Sequence, residues 1–228
     1  MLITILLIII LIFSAIFHEY AHGWMARYLG DDTAERAGRL TLNPIPHLDL
    51  FGSIILPLLL VVWNAGFFLA WAKPVPYNPY NLRDRKFGDL KVALAGPATN
   101  FMLAIIFGLI ARFLPVATGV KTQIAINFLT ANSDAFLSLV SGSIFASLTA
   151  LAMIICIINL MLGVFNLVPI PPLDGSKLLL TVLPERGKQF IYRYEQYGFI
   201  LLFLLIITNV FSFVFNIVIS LFSLIVGV

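Results

Sequence analysis

Residues His18-Glu19-Tyr20-Ala21-His22 form an H-E-x-x-H pattern near the end of a long apolar run. Side chains four apart in a helix stand on one face about a turn apart, so both imidazoles can ligate a single zinc ion while Glu19 is placed to take a proton from water. A water-facing helix end is the blander account, but the motif falls well before Gly30, where the helix is expected to stop. Two imidazoles leave a catalytic zinc one protein ligand short, and the usual completion is a third His or a carboxylate. His47, Asp49 and Asp174 are the candidates. Asp174 lies in the run from Asn166 to Gly175, N-L-V-P-I-P-P-L-D-G, where prolines end an apolar helix and the glycine permits a tight turn after the carboxylate. Irregular backbone at membrane depth is tolerated where it lines a cavity. Asp174 is therefore the expected third ligand of one zinc per chain, with His47 and Asp49 as alternatives.

These residues must be carried by elements suited to lipid. The 228 residues are 61% hydrophobic and 11% charged, whereas a soluble domain carries about 25% charged residues. That balance excludes a soluble globular enzyme, and high hydrophobicity excludes a disordered chain. The apolar stretches are continuous and too long for barrel strands. Five blocks stand out, at roughly residues 2–29, 51–72, 92–114, 141–168 and 199–226. The second differs from the rest, with Pro57 in its first half and Trp63-Asn64-Ala65-Gly66 as a turn between two short arms. If it dips in and returns as a re-entrant hairpin, 12 of the 14 Lys and Arg residues share one side of the membrane, which the positive-inside rule makes the cytosolic side.

The expectation is thus an all-α integral membrane protein, one domain over residues 1–228, with about four transmembrane helices plus a re-entrant hairpin at 51–72 and both termini outside. Short surface strands are expected to flank the hairpin at Gly38–Pro44 and Ala72–Pro79. Met1 to Phe17 carries no charged side chain and reads as a retained first helix rather than a signal peptide. The net charge of +3 is scattered through short linkers, so it signals topology and not a nucleic-acid partner. Cys156, the single cysteine, sits in an apolar run and reads as a small buried side chain. Asn100, Asn159 and Asn166 are further polar residues at membrane depth, suited either to an oxyanion or substrate backbone or to helix-to-helix bonding. In the last block Asn209, Ser212, Asn216, Ser220 and Ser223 make a polar stripe, expected to pack within the chain or in a homo-oligomer through the 199–226 helix.

With H-E-x-x-H ending one helix, Ala95-Gly96-Pro97-Ala98-Thr99-Asn100 opening another and N-x-x-P-x-P-P-L-D-G ending a third, the chain resembles the site-2 protease family of zinc intramembrane proteases over roughly residues 10 to 180. The resemblance implies zinc on His18, His22 and Asp174, with Glu19 activating water. It also implies an active site toward the cytosol, and it favours Asn166 over Asn100 as a substrate-binding residue. Many relatives carry a PDZ or CBS domain, for which this chain has no room, so a minimal form is expected. The implied substrate is a transmembrane helix of another membrane protein in the bilayer, locally unwound so that its peptide bonds are accessible. The strands around 51–72 are expected to capture it by strand addition. A prokaryotic plasma membrane is the simplest setting. The competing classes are a zinc- or proton-coupled transporter, against which no repeated halves are detectable, and a catalytically silent protein that binds membrane helices.

Overall fold

The computed structural model describes residues 2–63, 72–194, 197–198, 200–201, 204 and 212–228. Regular structure among them is entirely helical: α1 (Leu2–Tyr28), α2 (Thr33–Arg36), α3 (Leu56–Val62), α4 (Gly88–Phe113), α5 (Thr118–Leu129), α6 (Ser133–Ser141), α7 (Ile144–Asn166), α8 (Gly175–Val182), α9 (Glu185–Tyr194) and α10 (Ser212–Val226). Three of these, α1 from Ile3 onward, α4 and α7, are long and apolar enough to cross a bilayer. The fifth apolar block contributes the 15-residue α10; Asn209 and the block's preceding residues 205–211 lie outside the described residues.

The chain divides into two compact units. One comprises Met1–Thr99 and Asn166–Leu202, and it contains the H-E-x-x-H motif and the L-D-G turn. Its first helix stops where the sequence suggests. Gly30, at φ +106°, donates to the Arg27 carbonyl, and Asp31 donates to that of Ala26. This is the glycine-terminated cap that satisfies the last carbonyls of a helix. Asp31 then secures the chain that follows. Its fully buried carboxylate accepts from the Thr33 hydroxyl at 2.6 Å, the Asn78 N–H at 2.7 Å and the Asn81 amide at 2.9 Å. Burial pushes this carboxyl up, but the bonds from Thr33, Asn78 and Asn81 outweigh it and hold the group below the usual carboxylate range.

Two expectations for the hairpin region are corrected. Among the described residues neither Gly38–Pro44 nor the segment from Ala72 to Pro79 is a strand. Side chains and a loop take the bonds a partner strand would need. Lys73 donates to the His47 carbonyl, Asn78 to Asp31, and the Arg39 guanidinium caps the carbonyls of Lys73 and Pro74. Pro57 is the second residue of α3, at its junction with the helical turn that precedes it. A π-helical turn at Leu50–Ile55 leads into that helix, capped by the Asp49 carboxylate accepting from Gly52 N–H at 2.6 Å. The expected turn at Asn64–Gly66 and the hairpin's second arm, residues 64–71, lie outside the described residues.

The second unit comprises Asn100–Phe165 and Phe203–Val228. Glycines let its helices approach closely, as expected where lipid supplies no hydrophobic drive. A Cβ on Gly163 would meet the Phe101 ring at 3.2 Å, and one on Gly108 would meet Cys156 Sγ at 3.0 Å. Cys156 is fully buried, as its sequence context suggests. Asn100 and Asn159 are also fully buried, and the Asn100 amide donates to Asn159 Oδ1 at 2.8 Å. On α10 the buried face is apolar, made by Val218, Phe222 and Val226. Ser212, Asn216 and Ser220 of the polar stripe are exposed.

Candidate metal centre

Helix α1 presents His18 and His22 one turn apart, and both residues are buried. The rings meet edge to face, with centroids 4.6 Å apart. Facing them is Asp174, the residue before α8. An aspartate at this position ordinarily folds back to cap its helix, but Asp174 makes no such bond. Its Oδ2 lies 3.0 Å from His18 Nε2 and 3.3 Å from His22 Nε2. The turn that delivers it depends on Gly175, where a Cβ would sit 2.3 Å from the Leu167 carbonyl oxygen.

His22 Nδ1–H donates to the Val92 carbonyl at 2.7 Å, which leaves Nε2 as the ring atom that faces Asp174 and, in the neutral ring, as the atom able to ligate a metal. One ligand atom from each of His18, His22 and Asp174 falls within 4.8 Å of the others. A tetrahedral zinc with bonds of about 2.0–2.1 Å separates its ligand atoms by about 3.3 Å, close to the spacings found here. The donor set and the second bond on the imidazole both fit zinc.

Helix α4 closes the cluster from the opposite side. Val92 and Gly96 stand four apart on it, and a Cβ at Gly96 would come within 2.5 Å of His22 Nε2 and 2.6 Å of His18 Nε2. Only a glycine admits the rings at that distance. Asp89, in the first turn of α4, accepts a hydrogen bond from the Tyr77 hydroxyl and lies 3.6 Å from Lys177 Nζ on α8. These contacts tie α4 to the 72–79 segment and to the helix that follows Asp174.

The other expected residues lie outside the three-residue ligand group. Glu19 projects from α1 toward the 72–79 segment, and its Oε2 accepts from the Val75 N–H at 2.8 Å. His47 is buried with its Nε2 donating to the Thr41 carbonyl at 2.8 Å, and Asp49 is the cap of the π-helical turn. Neither joins the three-residue group. Asn166 is the last residue of α7 and half-buried. Nothing local in the sequence marks Gly96, Val92 or Val75 as parts of the site. The A-G-P tripeptide was visible, but only its packing against the imidazoles explains it.

Residues 6–209 match peptidase family M50. A Bacillus subtilis protein named "Putative zinc metalloprotease YwhC" is 38% identical over 208 residues, covering 91% of this chain and 83% of its own length. "Putative zinc metalloprotease Rip2" of Mycolicibacterium smegmatis is 30% identical over 196 residues, 86% of this chain and 64% of that protein. "Zinc metalloprotease MJ0392" of Methanocaldococcus jannaschii is 22% identical over 180 residues, 79% of this chain and 35% of that protein. No solved structure matches the chain.

Proposed function

Because the chain belongs to peptidase family M50, the site-2 protease family, we propose that His18, His22 and Asp174 hold one zinc ion and that Glu19 moves the proton in peptide-bond hydrolysis. The protein is a zinc-dependent intramembrane metalloprotease of that family, acting on membrane-protein substrates in a bilayer. The observation that carries the assignment of residues is the convergence of two buried imidazole nitrogens on one carboxylate oxygen, at 3.0 and 3.3 Å.

A zinc ion held there would supply a Lewis acid for the scissile carbonyl and lower the pKa of a water. The chain's own groups do the rest. The Val92 carbonyl keeps His22 in the tautomer whose Nε2 can bind metal. Glu19 accepts a proton from the attacking water and returns it to the leaving amine nitrogen, so the carboxylate is regenerated at the end of each turnover. Burial of the two histidines excludes bulk water and strengthens each charge interaction.

The substrate is a transmembrane segment of another protein, locally unwound so that its carbonyl is exposed, with Asn166 offering its amide to the substrate backbone; the buried Asn100 amide is taken by Asn159. Residues 1–228 act as one catalytic domain, with the block at 199–226 as a fourth crossing and 51–72 as a re-entrant element. The placement of Lys and Arg supports an active site toward the cytosol of a prokaryotic plasma membrane.

Metal removal tests this reading. Dialysis of the purified protein against a zinc chelator should abolish cleavage of a transmembrane-helix substrate in proteoliposomes, and stoichiometric zinc should restore it. Cleavage that persists in metal-free protein contradicts the proposal. Metal-dependent flux without cleavage would favour a transporter.

A further inference from the structure

Resting on the assignment of Glu19 as the proton-transfer group, we propose that the backbone N–H of Val75 is a dedicated positioning donor for that carboxylate. Its 2.8 Å bond to Glu19 Oε2 fixes one carboxylate oxygen and leaves the other to address water.

Three independent features converge on this one donor. The first is the local sequence, Pro74-Val75-Pro76. Neither proline carries an N–H, so Val75 offers the only backbone donor in the tripeptide and the carboxylate cannot slide to a neighbouring one. Proline also holds its own φ, and each biases the residue before it toward extended backbone, so the donor is set before Glu19 meets it.

The second feature is a grip on the adjoining backbone. The buried Arg39 guanidinium donates to the Lys73 carbonyl at 2.6 Å and the Pro74 carbonyl at 3.3 Å. Lys73 N–H is held by the His47 carbonyl at 2.8 Å, and Asn78 N–H by Asp31 at 2.7 Å. A loop tethered on both sides of the donor cannot drift by the fraction of an ångström that a hydrogen bond tolerates.

The third feature is a seat for the side chain on the same helix face. Gly23 lies four residues after Glu19, one turn along α1. A Cβ there would meet Val75 Cγ1 at 3.0 Å, Ala34 Cβ at 3.2 Å and Leu40 Cδ1 at 3.3 Å. The missing side chain at Gly23 is what admits Val75, which is 6% exposed, close enough for its N–H to reach Glu19. Holding a general base in its working rotamer contributes to the turnover step rather than to substrate affinity.

Deletion of the donor tests the proposal. Val75→Pro removes the N–H and sets a ring carbon in its place beside Glu19. It should lower kcat roughly tenfold while KM changes by less than about twofold and zinc content is retained. Val75→Ala keeps the donor and should hold kcat well above that of Val75→Pro. If Val75→Pro fails to fold, a backbone ester at residue 75 deletes the same hydrogen with the side chain intact, and it should show the same drop in kcat. A donor-deleted protein with wild-type or raised kcat overturns the proposal, and raised kcat would show that the segment obstructs the site. Glu19→Gln in the same assay separates this failure from failure of the underlying assignment. An inactive Glu19→Gln beside a fully active Val75→Pro defeats only the role of Val75, whereas an active Glu19→Gln defeats the role of Glu19 itself.

Discussion

Glu19→Gln is expected to keep one zinc per chain and lose cleavage of a transmembrane substrate by about 10²–10⁴-fold, the span over which a positioned general base acts. The amide matches the carboxylate in size and can still accept the Val75 N–H, so the helix and the loop beside it should be undisturbed. What it loses is the basic oxygen that receives a proton from water. Metal analysis and single-turnover cleavage, measured on the same preparation, separate the two effects. Retained zinc with lost hydrolysis fits the roles assigned here; hydrolysis at the wild-type rate would remove Glu19 from the chemistry.

Gly96→Ala should have an effect of similar size by a different route. The added Cβ would lie 2.5 Å from His22 Nε2 and 2.6 Å from His18 Nε2, closer than nonbonded carbon and nitrogen approach. The rings cannot yield freely, since His22 is also bonded to the Val92 carbonyl on the same helix. Either α4 moves away or the imidazoles leave their common focus. Zinc should be lost from the purified protein, and activity with it. Gly119→Ala is the control: nothing lies within 4 Å of a Cβ there, and alanine in a helix is favoured over glycine by roughly 0.5–1 kcal/mol. That variant should retain its metal. If Gly96→Ala kept full zinc and activity, the close approach of α4 to the histidines would be refuted.

The parts of the site legible in the sequence are those set by local geometry. Four-residue spacing places His18 and His22 on one face of any helix that contains them, and the run of prolines before Asp174 marks a helix end in any setting. The fall of Asp174 beside the imidazoles, 156 residues away from His18 in sequence, depends on tertiary packing; the sequence could nominate it but could not separate it from His47 or Asp49 by distance. The same limit hid Gly96 and Val92, whose importance lies in what stands against them. The composition and proline boundaries of the loop around Val75 are strand-like, yet it forms no strand. Its backbone bonds go instead to Glu19, Asp31, Arg39 and His47, and only their positions in space reveal that. On α10 the polar stripe was visible, yet which face turns inward was decided by Val218, Phe222 and Val226.

Zinc K-edge X-ray absorption of the Asp174→Cys protein, compared with wild type, tests the central claim most directly. If His18, His22 and residue 174 share one metal, the variant should gain a sulfur scatterer at about 2.3 Å in place of an oxygen at about 2.0–2.2 Å, while the imidazole scattering is kept. A metal environment identical to that of wild type, with no sulfur in it, would show that residue 174 does not bind the ion and would contradict the account.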